Sequence, residues 1–229
     1  MPAKAHFFPE LFKFLKDLKR NNDRDWFAAN KPRYEEQVKE TIIGFILDFG
    51  PHLQKLSPHF LADPRPVGGS MFRIFRDTRF SKDKQPYKTN VGVQFRHEAS
   101  RDAHAPCFYL HLSPDEVFAA AGIWHPETAA ARLIRAKIAD APQRWLGIVG
   151  RKAFRDTYHL SGESLLRPPR GIDADHPAVE DLKRKDFIAV ANLTREQACA
   201  PGFITSLARL WGKADPLMTF LCEALGQPF

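Results

Sequence analysis

The sequence predicts a single α+β domain built on an antiparallel sheet. Apolar residues recur at helical spacing near both ends of the chain, whereas much of the middle alternates apolar and polar residues with a period of two. Most of the alternating segments follow one another without a helix between them, which favours an antiparallel sheet over a doubly wound parallel one. No internal repeat or long linker divides residues 1–229, so we expect one domain.

The N-terminal quarter of the chain predicts helices. Residues 8–22 carry apolar side chains at helical spacing and end in two asparagines. Asp23 can cap the short helix that follows, because its carboxylate can accept a hydrogen bond from a free backbone N–H. A longer amphipathic helix begins near Pro32, and Gly50 and Pro51 are expected to end or kink it.

Strands are predicted where the apolar period changes to two. About five are expected, at residues 71–76, 90–96, 108–112, 116–124 and 187–193. Helical spacing returns between and after them, at residues 129–138, 142–145, 178–185 and 203–225, the last bent near Pro216. We expect the N-terminal and C-terminal helices to pack on one face of the sheet.

Composition restricts the class of protein. A chain of 229 residues that is 44% hydrophobic and 27% charged is typical of a globular protein with a substantial core. We expect no secretory signal, because the first residues have no apolar core segment, and no apolar run is long enough to cross a membrane. The three cysteines are too far apart to suggest a disulfide framework. We therefore expect a cytoplasmic protein. The net charge of +7 permits an anionic partner without requiring one.

The excess positive charge is concentrated in residues 73–90, which read RIFRDTRFSKDKQPYKTN. Arg73 and Arg76 fall in a predicted strand, and we expect each to pair with an acid such as Asp77 or Asp83, because a buried unpaired charge is costly. The loop that follows is rich in groups that bind phosphate or carboxylate. These are Arg79, Lys82, Lys84, Tyr87 and Lys88. The alternative is a solvated loop held by structural ion pairs.

Strand alternation predicts a second group of polar side chains. If the apolar residues of segments 90–96 and 108–112 lie under helices, the opposite face carries Gln94, Arg96, Tyr109 and His111, with Arg76 beside them. A slip of one residue would reverse every side chain. His111 is equally consistent with a partly buried structural residue.

No other established site pattern is present. His97, His104 and His111 recur every seven residues, which is not the spacing of a zinc finger or of an H-E-x-x-H helix. We predict no bound metal and no cofactor, since phosphate-binding loops and dinucleotide fingerprints are also missing from the sequence.

Several segments resemble a known family. The hallmark RDTRFSKDKQPYKTN at residues 76–90, the segment at 8–35, GIWHPE at 122–127 and the motifs within 167–187 are similar to those of a widespread bacterial and fungal family. That family is known as a conserved domain of unknown function. The resemblance therefore implies membership but supplies no activity, cofactor or catalytic residue.

Three functions are consistent with the sequence. The first is the binding or processing of a phosphate-bearing or other anionic small molecule at the loop of residues 76–88, beside the polar sheet face. The alternative is a protein-interaction module without catalysis, and the third is nucleic-acid binding through the same basic patch. The sequence decides neither whether the protein is an enzyme nor its oligomeric state.

Overall fold

An antiparallel sheet forms the centre of the protein, for which a computed structural model describes residues 4–99 and 105–229. Its strands are ordered β1-β2-β3-β4-β6-β5. They are β1 (Phe60–Leu61), β2 (Val91–His97), β3 (Cys107–Leu112), β4 (Val117–Ile123), β5 (His159–Ser161) and β6 (Phe187–Leu193). The α+β class is confirmed, with six strands instead of about five.

Helices precede and follow the sheet. The N-terminal ones are α1 (Pro9–Arg20), α2 (Arg24–Ala29), α3 (Lys31–Tyr34) and α4 (Thr41–Leu56), with a π-helical segment, Glu35–Glu40, joining the last two. The later ones are α5 (Thr128–Asp140), α6 (Pro142–Val149), α7 (Lys152–Arg155), α8 (Val179–Leu182), α9 (Arg195–Cys199), α10 (Phe203–Gly212) and α11 (Asp215–Ala224). In the described ranges, no helix combines the length and apolar character needed to cross a membrane.

Local capping explains where some helices begin. Asp23 accepts a hydrogen bond from the backbone N–H of Trp26 at 2.8 Å, as the sequence predicts. Of the two alternatives expected at Gly50 and Pro51, an end or a kink, the end does not occur, because α4 continues through Pro51 to Leu56. Phe49 and Leu53 flank the proline and are fully buried. Their burial, worth about 1.5–3 kcal/mol for each side chain, offsets the roughly 3 kcal/mol that an internal proline costs.

The core lies on one face of the sheet. Val93 and Phe95 of β2 and Leu110 of β3 are fully buried, on the face that the alternation predicts. Helices α4, α10 and α11 cover this face, and Trp211 of α10 packs its ring 5.8 Å from that of Phe95. The predicted parity of β2 and β3 is therefore confirmed.

The predicted strand at residues 71–76 is wrong. Only isolated bridges occur there, from Met71 to Val93 and from Phe75 to Tyr87. The two bridges join different partners, because the segment leaves the edge of β2 and turns toward its own loop. Sequence analysis also missed β1 and β5, which have two and three residues and are too short to show a period. The helix expected at residues 178–185 is only the single turn α8.

Gly122 allows β4 and β6 to approach closely, and its replacement tests this contact. Its φ is +134°, and an added Cβ would lie 2.2 Å from the carbonyl oxygen of Phe187. We expect Gly122→Ala to lower the free energy of unfolding by at least about 2 kcal/mol, measured by urea denaturation, because both backbone strain and overpacking oppose it.

Gly44 in α4 provides a matched control. An added Cβ there meets no atom within 4 Å, and the residue is helical. Gly44→Ala should therefore raise the free energy of unfolding by about 0.5–1 kcal/mol. Equal stability of the Gly122→Ala variant and the wild type would contradict the close approach of the two strands.

Candidate functional site

A cavity of about 340 Å³ lies on the sheet face opposite the helices. Its walls are mostly apolar and are formed by Phe72, Tyr109, Phe118, Trp124, Ile188 and Val190. Gln94, Cys107 and Ser161 add polar atoms or a thiol to the lining. The cavity therefore occupies the face on which strand alternation places Gln94 and Tyr109.

Small residues of β4 lie between the residues that line this cavity. Ala120 lies between Tyr109 on one side and Val190 on the other, and Gly122 lies between Cys107 and Ile188. A side chain of one carbon, or none, at the middle of the sheet leaves room that the larger neighbours enclose.

Aromatic rings form the wall beside β2. Tyr109 and Phe72 lie against Gly92, where an added Cβ would come 2.7 Å from the tyrosine oxygen and 2.8 Å from the phenylalanine ring. The Tyr109 hydroxyl lies 3.2 Å from His111 Nδ1, and the imidazole stacks on Phe118 with ring centroids 4.6 Å apart. Burial raises the pKa of Tyr109 and lowers that of His111, the latter against the opposing charge of Glu116.

Two cations, Lys88 and Arg73, lie near this wall. The Lys88 ammonium lies 5.4 Å from the centroid of the Phe72 ring. Burial lowers the pKa of Lys88, and the nearby positive charge of Arg73 lowers it further. Arg73 is exposed and lacks the carboxylate partner that the sequence predicts; within residues 4–99 and 105–229 neither cation forms an ion pair.

Most other cations of the basic loop, which comprises residues 76–88, bind groups of the same loop. Arg76 pairs with Asp83 at 2.5 Å, as expected. Arg79 holds both carboxylate oxygens of Asp77, and these hydrogen bonds lower the pKa of Asp77 to about 2. Lys84 donates to a backbone carbonyl of the loop at 2.9 Å. These contacts correspond to the structural ion pairs that the sequence analysis leaves open as an alternative.

The remaining predicted residues have different surroundings. Lys82 is exposed on the loop, whereas Tyr87 is buried and stacks on Phe27 with ring centroids 4.1 Å apart. Arg96 donates to the carbonyl of Gly68 at 3.0 Å. Of all the predicted site residues, the structure therefore brings Lys88, Tyr109 and His111 together near Phe72, whose ring forms part of the cavity wall.

The histidines that recur every seven residues do not converge. His97 faces the helical side of the sheet and lies 2.8 Å from the carbonyl oxygen of Pro228, whereas His111 belongs to the opposite face. His104 lies outside the described residues. Within those residues, no group of three or more side chains is placed to hold a metal ion.

A buried carboxylate at the other end of the cavity was missed by sequence analysis. Asp186 is fully buried and accepts hydrogen bonds from the backbone N–H groups of His125, at 2.7 Å, and Glu163, at 2.8 Å. Its Oδ1 also lies 2.9 Å from His125 Nδ1. The adjacent residues Trp124 and Gly162 line the cavity.

His125 and Asp186 each lie in a segment that resembles the family, GIWHPE and LKRKDF respectively. They are 61 residues apart, however, and only the pairing of β4 with β6 brings them together. No local spacing rule could have identified the pair.

Removal of the Asp186 carboxylate should be strongly destabilising. Asp186→Ala leaves the two backbone N–H groups without their acceptor and removes the charged neighbour of the His125 imidazole, and we expect urea denaturation to show a loss of about 3–5 kcal/mol in the free energy of unfolding. Asp175 is an exposed aspartate in a loop and serves as the control. Asp175→Ala should leave stability nearly unchanged, and equal effects of the two substitutions would refute the anchoring role of Asp186.

Comparison with known proteins identifies the family. No curated protein matches the sequence. The family model described as conserved hypothetical protein DUF2461 matches residues 10–220, which include the basic loop, every strand of the sheet and both His125 and Asp186. The match confirms the membership that the resemblance implies: the chain belongs to the DUF2461 family of conserved hypothetical proteins.

Proposed function

We propose that this protein binds a small organic anion, whose apolar body occupies the cavity and whose anionic group meets Lys88 and Arg73. One observation carries the proposal: the ring of Phe72, which lines an apolar cavity of about 340 Å³, contacts Lys88, and neither Lys88 nor the nearby Arg73 has a carboxylate partner among the described residues. A phosphate or a carboxylate would supply the missing negative charge.

The size and lining of the cavity favour a small molecule. Ligand cavities commonly have volumes of about 300–1,000 Å³ and mostly apolar walls with a few polar groups. This cavity is at the lower end of that range. Its aromatic walls, Phe72, Tyr109, Phe118 and Trp124, suit a flat ring or a short aliphatic chain.

The charges favour an anion at one end of the ligand. Half-burial of Lys88 disfavours its charged form, and a bound carboxylate or phosphate would reverse that effect. Arg73 can add a planar pair of donors. The anionic group is therefore expected at the end of the basic loop nearest Phe72, because Arg76 and Arg79 are already engaged by Asp83 and Asp77.

A ligand panel tests the proposal. Aryl and alkyl carboxylates and phosphates should raise the melting temperature, and calorimetry should show that an uncharged amide of the same shape binds at least about tenfold more weakly, since a charge-assisted hydrogen bond is lost. Lys88→Met should weaken binding of the best anion by a similar factor. Lys82→Met removes an exposed cation of the same loop and should not change the affinity.

Two results would overturn this assignment. Binding that is lost in Lys82→Met or Arg79→Ala but retained in Lys88→Met would locate the anion on the exposed loop instead. The absence of binding by every anion in the panel would exclude the ligand site altogether.

Single-stranded nucleic acid is a second candidate, favoured by the exposed end of the basic loop. Phe80 is 94% exposed, and the Arg79 guanidinium lies 5.7 Å from its ring centroid. An exposed ring beside cations can stack on a base while the cations meet phosphates. A labelled oligonucleotide should then bind at low salt, and Phe80→Ala should weaken binding about tenfold, since stacking contributes about 1–3 kcal/mol for each base. No change in fluorescence anisotropy at low salt would rule this candidate out.

A further inference from the structure

We propose that His125, oriented by Asp186, is a general base that activates water to hydrolyse an ester held in the cavity. The inference rests on the proposed ligand site and adds a reaction to it. The substrate class is an ester with an apolar aryl or alkyl body and an anionic group at the end distant from the scissile bond.

The geometry of the two side chains supports this role. Asp186 is fully buried, and its Oδ1 lies 2.9 Å from His125 Nδ1, a charge contact and not an aligned hydrogen bond. A hydrogen on Nδ1 is favoured there, because a lone pair on Nδ1 would face the carboxylate oxygen. Nε2 then carries the lone pair. It forms no hydrogen bond with another residue in the described parts of the chain, and the His125 side chain is 45% exposed to water. A buried carboxylate that fixes the tautomer of an accessible imidazole is the arrangement used by hydrolytic triads.

The backbone of His125 is held in an unusual conformation. Its φ is +49°, and among the described residues it is the only residue other than glycine with a positive φ. Such a conformation costs on the order of 1–3 kcal/mol and is concentrated at functional sites. The hydrogen bond from its own N–H to Asp186 stabilises it. As a result the imidazole stacks on Trp124, with ring centroids 4.1 Å apart, at the edge of the cavity.

The two ends of the cavity would have different roles, anion binding at one and ester hydrolysis at the other. Phe72 and Lys88 lie beside β2, whereas Trp124 and Gly162 lie beside β5 and β6 on the other side of the sheet. A ligand whose anionic group meets Lys88 therefore extends its other end toward His125. Its apolar middle would cross the small residues of β4.

Water, rather than a protein side chain, is the nucleophile that fits this geometry. Ser161 and Cys107 line the cavity, but neither forms a hydrogen bond with His125, and burial raises the pKa of the Cys107 thiol to about 11. A thiol with so high a pKa stays protonated at neutral pH. The partly exposed imidazole can instead reach solvent.

The proposed reaction needs only water as a co-reactant. The oxygen of water forms a bond to the ester carbonyl carbon, and one of its protons moves to Nε2 of His125. The bond between that carbon and the alcohol oxygen then breaks, and the proton passes from Nε2 to the departing oxygen. The products are a carboxylic acid and an alcohol, and the buried Asp186 stabilises the transient imidazolium.

Hydrolysis of p-nitrophenyl esters tests the inference on the full chain. Hemiesters whose free carboxylate is distant from the ester, such as the adipate, suberate and terephthalate, should be cleaved faster than their neutral methyl esters once the rate without protein is subtracted. His125→Gly suits the left-handed backbone and removes the imidazole; it should lower kcat by at least about 100-fold, the usual contribution of a general base. Added imidazole should restore at least a tenth of the lost rate, which a purely structural role of His125 would not allow.

Two further variants complete the design. His52→Ala removes an imidazole from α4, away from the cavity, and should neither change kcat nor respond to imidazole. Asp186→Asn should lower kcat with KM unchanged, because it alters the orientation of the base and not the ligand pocket. If His125→Gly fails to fold, His125→Asn replaces it, since asparagine tolerates a positive φ.

The outcomes separate this inference from the ligand site. Carboxylates that bind in calorimetry, together with no cleavage of any ester or an unchanged kcat in the folded His125 variant, would overturn the catalytic role and leave the binding site intact. The absence of anion binding would overturn both.

Discussion

The burial of one face of the sheet is the interaction on which the rest of the structure depends. Helices α4, α10 and α11 converge on that face, and Trp211 packs against Phe49, Phe95 and Phe108 at its centre. Because side chains alternate along a strand, burying every second side chain in this core places the others on the opposite face of the sheet. The site therefore rests on the strands that carry the buried core, which keeps its walls in place.

The alanine-rich strand β4 serves both faces at once. On the helical face, Ala119 and Ala121 are fully buried where α10 and α11 approach the sheet. On the other face, Ala120 and Gly122 lie between larger residues that line the cavity. A larger residue on either side would therefore disturb the close helix contact or reduce the cavity. One short stretch of small residues thus controls the packing of the core and the space beside it.

Periodic and local features could be predicted from the sequence, whereas long-range contacts could not. The face of Val93 and Leu110 follows from alternation, and the cap at Asp23 follows from its own chemistry. In the basic loop, Asp77 and Asp83 were visible as partners, yet only the structure shows that they engage Arg79 and Arg76 and that Arg73 pairs with no carboxylate of the described residues. The bond between His125 and Asp186 depends on the register of two strands, which no single segment encodes.

The edges of the sheet have a consequence for self-association. The outer strands β1 and β5 have only two and three residues. The rest of the edge of β2 is partly occupied, because Phe72 donates its backbone N–H to Gly92 and Gln94 donates to Ser70. Long unpaired edges are where foreign strands add and aggregates nucleate. The irregular segment around Ser70 and Phe72 therefore covers backbone groups of β2 with which a second chain could otherwise pair.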